Sequence, residues 1–412
     1  MGFNTALSGI QAAAGDLGII GNNIANSVTT GFKSTRAEFA DVYATSLLSS
    51  GSLLSSGTAI GQGVRMQSAA QQFSQGNIAF TDNPLDLAIS GQGFFQLEDN
   101  GSTVYSRAGN FKLDANGNVV NNEGFALMAR QADTNGAITG AISPLQLTNA
   151  YINANPTAAL SAGVNFDARE SQTDASWSLI AGVPDTAGYN SSTTSTIYDS
   201  LGNDHTISLY FSKLDPATNP NEWNVRTLID GTLQDTTAVT FNTDGSYNAP
   251  ASIPVTWDPG GGANPAQSFN MDLSRSTQFG SNFAVNTLSQ DGYTAGQLLG
   301  VDVDDAGMVF ARYSNGQSQV VAQVVLANFA NTQGLKPLGD TVWAETFSSG
   351  SPVVSEPGTA GLGLVQSNAL EESNVDLTAQ LVNMIVAQRN FQANAQTIQA
   401  EDTITQTIIN LR

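Results

Sequence analysis

Phe3-Asn4-Thr5-Ala6-Leu7-Ser8-Gly9-Ile10-Gln11-Ala12-Ala13-Ala14-Gly15-Asp16-Leu17 begins a stretch whose apolar spacing decides how the chain is organised. Phe3, Leu7, Ile10, Ala14, Leu17, Ile24 and Val28 fall on alternating steps of four and three, interrupted only at Gly21. This is the heptad spacing of a helix with one narrow apolar seam. It predicts a helix over 3–28, closed by Thr29-Thr30-Gly31, with Gly31 as a left-handed cap. At the other end Leu377, Leu381, Met384, Phe391, Ala395, Ile398 and Ile409 lie on the same grid, with Gln388, Asp402 and Thr405 as its polar members. Ser373 with Asp376 resembles a capping box opening a helix over 375–410. Gly9, Gly15, Gly18 and Gly21 each weaken the first helix by up to ~1 kcal/mol relative to Ala, so it needs a partner on which to order. Seams at both ends predict a chain that joins copies of itself; a helical hairpin within one molecule is the plainer alternative.

Between the ends, short apolar runs alternate with turns such as Asp99-Asn100-Gly101, Asp114-Ala115-Asn116-Gly117-Asn118 and Asn121-Asn122-Glu123-Gly124. These are hairpin signals. From about residue 151 the strands become richer in Thr, Ser, Asn and Asp, and hold Trp177, Trp223 and Trp257. The expected fold class is mixed: a terminal α-helical coiled coil plus two all-β domains nested in discontinuous order. Residues 1–33 with 364–412 form the coiled coil, and 34–75 with 348–363 an extended connector. Residues 76–150 with 291–347 form an inner β-domain, and 151–290 an inserted outer one. The Ser/Gly/Leu run at 47–57 belongs to the connector.

Composition removes several kinds of function. Acidic residues outnumber basic ones 35 to 14, and the net charge of −21 argues against nucleic acid or an anionic membrane as partner. Cysteine is absent and His205 is the single histidine, which removes disulfides, thiolate catalysis and most zinc chemistry. No uninterrupted apolar run approaches the ~18 residues of a membrane span. The first basic residue is Lys33, so no positively charged segment precedes an apolar run as in a secretory signal, and Ala6 stands where myristoylation wants Ser or Thr. Residue rules alone therefore predict a cytoplasmic protein; an export route that leaves the N-terminus uncut is invisible to them.

No catalytic, metal or cofactor site is expected. The Asp114–Asn118 and Asp302–Gly307 stretches faintly resemble calcium loops, but Phe125 and Tyr313 occupy the position of the required Glu, so both read as turns. Asp86 with Glu371-Glu372 is a carboxylate set that chance supplies, and His205 reads as a solvated turn residue. Gly91-Gln92-Gly93 precedes no helix, which excludes a nucleotide loop. Phe94 and Phe95 read as core.

The stretches Ala6–Ala13, Ile20-Gly21-Asn22-Asn23-Ile24-Ala25-Asn26 and Thr30-Gly31-Phe32-Lys33 closely resemble the opening of bacterial flagellar rod and hook proteins. Ile89-Ser90-Gly91-Gln92-Gly93-Phe94-Phe95 and Tyr105–Phe111 resemble that family's β-domain motif, and Asn374–Leu377 with Leu381–Phe391 its C-terminal helix. Tyr198–Asn203 and Gln323–Phe329 resemble the hook subunit in particular. The resemblance implies a non-enzymatic subunit that leaves the cell by type III export without a cleaved signal. It implies polymerisation into a curved extracellular tube, a universal joint passing torque from rod to filament. The implied partners are the chain itself, the distal rod, the hook cap, the hook–filament junction proteins and the export apparatus, with no nucleic acid and no membrane insertion. Without cysteine, the cysteine-derived cross-link of some hook proteins is excluded. The assembly seam is expected on Leu7, Ile10, Leu17, Ile24, Leu377, Leu381, Met384, Phe391, Ile398 and Ile409. The alternatives are a distal-rod subunit, or a secreted β-rich adhesin using its tryptophans.

Overall fold

The computed structural model describes residues 2–42, 61–133, 136–147, 151–180 and 182–410; the run at 47–57 lies outside them. The chain divides into two compact units. One contains Met1–Thr148, Gly300–Arg312 and Ser318–Arg412, and the other Asn149–Leu299 and Tyr313–Gln317.

In the first unit, helix α1 spans Gly2–Ala25 and helix α2 spans Leu377–Asn410. Helix α1 ends earlier than its apolar spacing suggests, the chain passing into turns after Ala25, where the Asn26 side chain donates to the Asn22 carbonyl at 3.0 Å. Gly31 does adopt φ +70°, but beyond the helix, where it makes a close backbone approach rather than a cap. Helix α2 is opened by Asp376 alone: its Oδ1 accepts from the Thr378 and Ala379 amides at 2.8 and 3.1 Å. This satisfies two donors that the first turn otherwise leaves unpaired.

The two helices pack antiparallel. A Cβ on Gly2 would strike Glu401, one on Gly9 would strike Asn394, and Asn23 donates to Gln380. Steps of seven along α1 are thus matched by steps of seven along α2. Glycine brings the backbones close, so the partner that the weak first helix requires is present in its own chain. Strands β1 (Thr35–Asp41) and β2 (Val64–Gln71) form an antiparallel arm beside α1, with Gly15 against Met66.

The β part of this unit centres on Ala126–Ala132, which pairs antiparallel with Ile138–Pro144, Ser318–Val324 and Phe94–Asp99. Late segments close onto early ones: Leu364–Ser367 pairs with Leu87–Ser90, and Ala369–Glu371 with Ile78–Phe80. Within the stretch read as the second connector, Val353–Ser355 pairs with Leu326–Asn328. Phe94, Tyr105, Phe329 and Trp343 form an aromatic core with edge-to-face contacts of 4.8–5.9 Å.

The second unit has a five-stranded meander running from Ser191–Tyr198 to Tyr247–Ala249. A second sheet is built around Ala159–Asp167, which pairs with Gln267–Asp272, Thr277–Phe279 and Ala284–Gln290. Alternate residues of both sheets share one core containing Phe166, Phe211, Trp223, Trp257 and Met271. Trp223 and Trp257 are therefore core residues, and Trp177 stacks under the Arg226 guanidinium at 4.4 Å. An exposed aromatic platform is not formed by these three. His205 is not a solvated turn residue: it lies within a strand, bonds Asp230 at 2.6 Å and packs its ring 4.7 Å from Trp257. The Asp114 and Asp304 segments are side-chain-braced turns, each carboxylate accepting backbone amides two and four residues on.

Candidate functional site

The residues singled out as motif, from Asn22 to Lys33, converge at the root of the helix pair. Asn23 is buried, and its carboxamide mimics a strand edge toward Thr35: Oδ1 accepts the Thr35 amide at 2.9 Å and Nδ2 donates to its carbonyl at 2.7 Å. On the other side Asn374 accepts from Ser34 N at 2.7 Å and donates to the carbonyls of Gln72 and Ser74 at 2.7 and 3.1 Å. Gly31 donates to the Glu371 carbonyl at 2.8 Å and passes so close to Ala108 that a Cβ would lie 2.5 Å from its nitrogen. Phe32 is half-buried beside this crossing.

At the centre lies Glu371, fully buried. Its Oε1 accepts from Lys33 Nζ at 2.6 Å and from the Gly76 amide at 2.8 Å, and its Oε2 from Arg107 at 3.0 Å. Lys33 also donates to the Ser74 carbonyl at 2.7 Å, and Arg107 to the Gly91 carbonyl at 2.7 Å. Two cations thus share one carboxylate away from water. Burial pushes both Lys33 and Arg107 below their ordinary values, against the pull of the Glu371 charge. Such a cluster adds little net stability but strongly penalises any arrangement that separates its members. It draws together the root of α1, the β-sheet and the segment leading into α2.

Arg107 also lies 5.5 Å over the Phe94 ring, which links this cluster to the aromatic core. Gly93, at φ +125°, brings the chain against Leu362, where a Cβ would stand 2.9 Å from Cδ2. Phe95 packs edge-on to Phe111 at 5.4 Å. Glu371 itself was passed over in the sequence as half of an accidental carboxylate pair.

The seam residues behave differently. Ile10, Leu17, Ile24, Met384 and Ile398 are half-buried, while Leu7, Leu377, Leu381, Phe391 and Ile409 are exposed. The chain's own α1–α2 contact runs through Gly2, Gly9, Asn394 and Gln380, with Ala387 buried at the intervening step. The heptad grid and the intramolecular contact are one residue out of phase at Gln380/Leu381. The bulky residues are consequently displaced from the contact. Leu377, Leu381, Val382, Ile385 and Val386 are each about half exposed on α2.

The class of protein is given by four family models, all of flagellar basal body and hook proteins. The flagella basal body rod protein model matches residues 3–33 and the flagellar basal body rod FlgEFG protein C-terminal model 366–411. The flagellar hook protein FlgE/F/G D1 domain matches 88–158 and the flagellar basal body protein FlaE D2 domain 165–293. The flagellar hook proteins FlgE of Salmonella typhimurium and Escherichia coli are 41% and 40% identical over 427 residues, covering 100% of this chain and 100% of each relative. That of Treponema pallidum is 32% identical over 466 residues, covering 99% of this chain and 98% of its own. The crystal structure of Helicobacter pylori flagellar hook protein FlgE2 shares the fold, with a TM-score of 0.54 at 15% identity over 71% of this chain and 100% of that one. The chain belongs to the flagellar hook protein FlgE family, and is accordingly a structural subunit of the flagellar hook rather than an enzyme. Neither the rod nor the adhesin alternative is favoured by these matches. No helix among the described residues is long and apolar enough to cross a membrane.

Proposed function

We propose that the helix pair is the polymerising element, and that copies of it pack as a coiled coil around the axis of a tube. The observation that carries this reading is the uncovered apolar surface of α2, from Leu377 to Val386, about half exposed within its own chain. Exposed side chains of this size on one helix mark a surface awaiting a partner. The seam residues Leu7, Ile10, Leu17, Ile24, Leu377, Leu381, Met384, Phe391, Ile398 and Ile409 carry the contacts between copies. In this division, 1–33 with 364–412 form the innermost layer, 34–75 with 348–363 connect it outward, 76–150 with 291–347 form the next layer and 151–290 the outermost. The Ser/Thr/Asn-rich surfaces of the outer parts slide past one another as a bent tube turns, since wet polar contacts shear more readily than dry apolar ones. The subunit thereby acts as a universal joint passing torque from rod to filament. Its other partners are the distal rod, the hook cap, the junction proteins and the export apparatus that delivers it uncleaved to the cell exterior.

The test is polymerisation of the purified chain with and without its first 33 residues. The full chain makes curved tubes, and the truncated one stays a soluble monomer. Tubes from the truncated chain would sink the reading, and straight tubes from the full chain would point to a rod.

A further inference from the structure

Four of the α1 glycines are accounted for by close packing or are conspicuously not. Gly9 and Gly15 meet Asn394 and Met66, but a Cβ placed on Gly18 or Gly21 meets nothing within 4 Å among the described residues. Glycine inside a helix is destabilising, and here the chain gains no internal close approach in return. Gly18 is nine residues past Gly9, which meets Asn394 of α2, and so points about 180° away, to the far side of the pair. Gly18, Gly21, Asn22 and Ala25 make one low surface at the spacing i, i+3, i+4, i+7.

Helix α2 has the complementary relief. Val382, Ile385 and Val386 are 55%, 51% and 50% exposed and continue to Arg389, again at i, i+3, i+4, i+7. This ridge lies on the side of α2 turned from α1, whose contact runs through Gln380, Ala387 and Asn394. The heights agree as well. In the register that sets Asn23 against Gln380, Gly18 is level with Ile385 and Gly21 with Val382. A bulky apolar ridge and a low glycine face therefore occupy opposite sides of one helix pair at one level.

On the polymer reading given above, we propose that the Val382–Ile385–Val386 ridge of one copy docks on the Gly18–Gly21 face of α1 in a second copy, head to tail. A face that differs from the one it binds propagates without pairing off, and so closes into rings or winds into helical tubes. The contact buries side chains that the single chain leaves half in water, and glycine at the receiving face lets the backbones approach.

The absence of cysteine makes the test direct. The full chain carrying Gly18→Cys and Ile385→Cys is assembled and then oxidised. Docking brings the two Cα atoms of neighbouring copies within the ~7 Å that a disulfide allows, while within one copy they face apart. The expected result is a ladder of covalent dimers, trimers and higher species from assembled tubes, with none from dilute monomer. Separately, Gly18→Leu and Ile385→Asp each raise the critical concentration for tubes at least about tenfold, while the melting temperature of the soluble chain does not fall, and for Gly18→Leu rises with the better helix former. Mixing those two variants gives dimers and nothing longer, because each retains one working face. Assembled tubes that yield no ladder, or Gly18→Leu tubes forming at the wild-type concentration, overturn this docking alone. A folded wild-type chain that forms no tubes overturns the polymer reading and this inference with it.

Discussion

Replacing Glu371 with Gln tests whether the buried cluster holds the helix pair to its β-sheet. The side chain keeps its shape and can still accept from Gly76 N, so packing is conserved. What is lost is the carboxylate that, among the described residues, Lys33 and Arg107 share, the two being 1% and 4% exposed. Breaking a buried ion pair by removing one partner costs about 3–5 kcal/mol, because the remaining charge is stranded. Lys33 can shed its proton to escape part of this cost; Arg107 cannot. For a unit of this size each kcal/mol moves the melting temperature by roughly 2–4 °C, so a fall of about 6–20 °C is expected. The assay is built into the sequence: Trp343 reports on the first unit, while Trp177, Trp223 and Trp257 report on the second. Urea or heat unfolding followed in a chain keeping only Trp343 shows the shift, and one keeping only Trp223 shows none. A loss below about 1 kcal/mol, or an equal shift by both probes, would refute the reasoning.

Other outcomes follow from single contacts. Arg169 grips Asp167 through its guanidinium at 2.7 and 2.9 Å and holds that carboxyl down at about 2, against an ordinary 3.8. A depressed carboxyl stabilises the fold above its unfolded value, and the contribution disappears as pH falls from 3.8 through about 2. Carboxyl NMR titration should find the low midpoint, and Arg169→Ala should return it toward 3.8. Asp376→Ala removes the cap of α2 at a cost of about 1 kcal/mol, seen as faster amide exchange at Thr378 and Ala379. Phe94→Ala empties the centre of the aromatic core and should cost about 3–5 kcal/mol in the Trp343 transition, with the Trp223 transition unmoved.

Much of the architecture was legible from elementary periodicity. The steps of four and three placed a helix at each end, and turn signals such as Asp99-Asn100-Gly101 placed hairpins. What periodicity could not supply was phase against a partner. The grid through Leu381 and Phe391 is the helix's most apolar line, yet the chain's own contact chooses the adjacent line through Gln380 and Asn394, because Gly2 and Gly9 reward closeness over bulk. The cluster at Glu371 was illegible for another reason. Its members are separated by 264 and 338 residues, and nothing local distinguishes a buried carboxylate from the many exposed ones. His205 misled similarly: its neighbours in sequence suggest a turn, whereas Asp230 and Trp257 reach it from elsewhere in the second unit.

The closing pairings of the first unit set a condition on timing. Leu87–Ser90 waits for Leu364–Ser367, Ile78–Phe80 for Ala369–Glu371, and Lys33 for a carboxylate 338 residues further on. A polypeptide handed over amino end first cannot complete this unit until nearly its last fortieth residue from the end has arrived, roughly the length of α2. Until then Leu87–Ser90 and Ile78–Phe80 stand without the strands that close them, and Lys33 without its counter-charge.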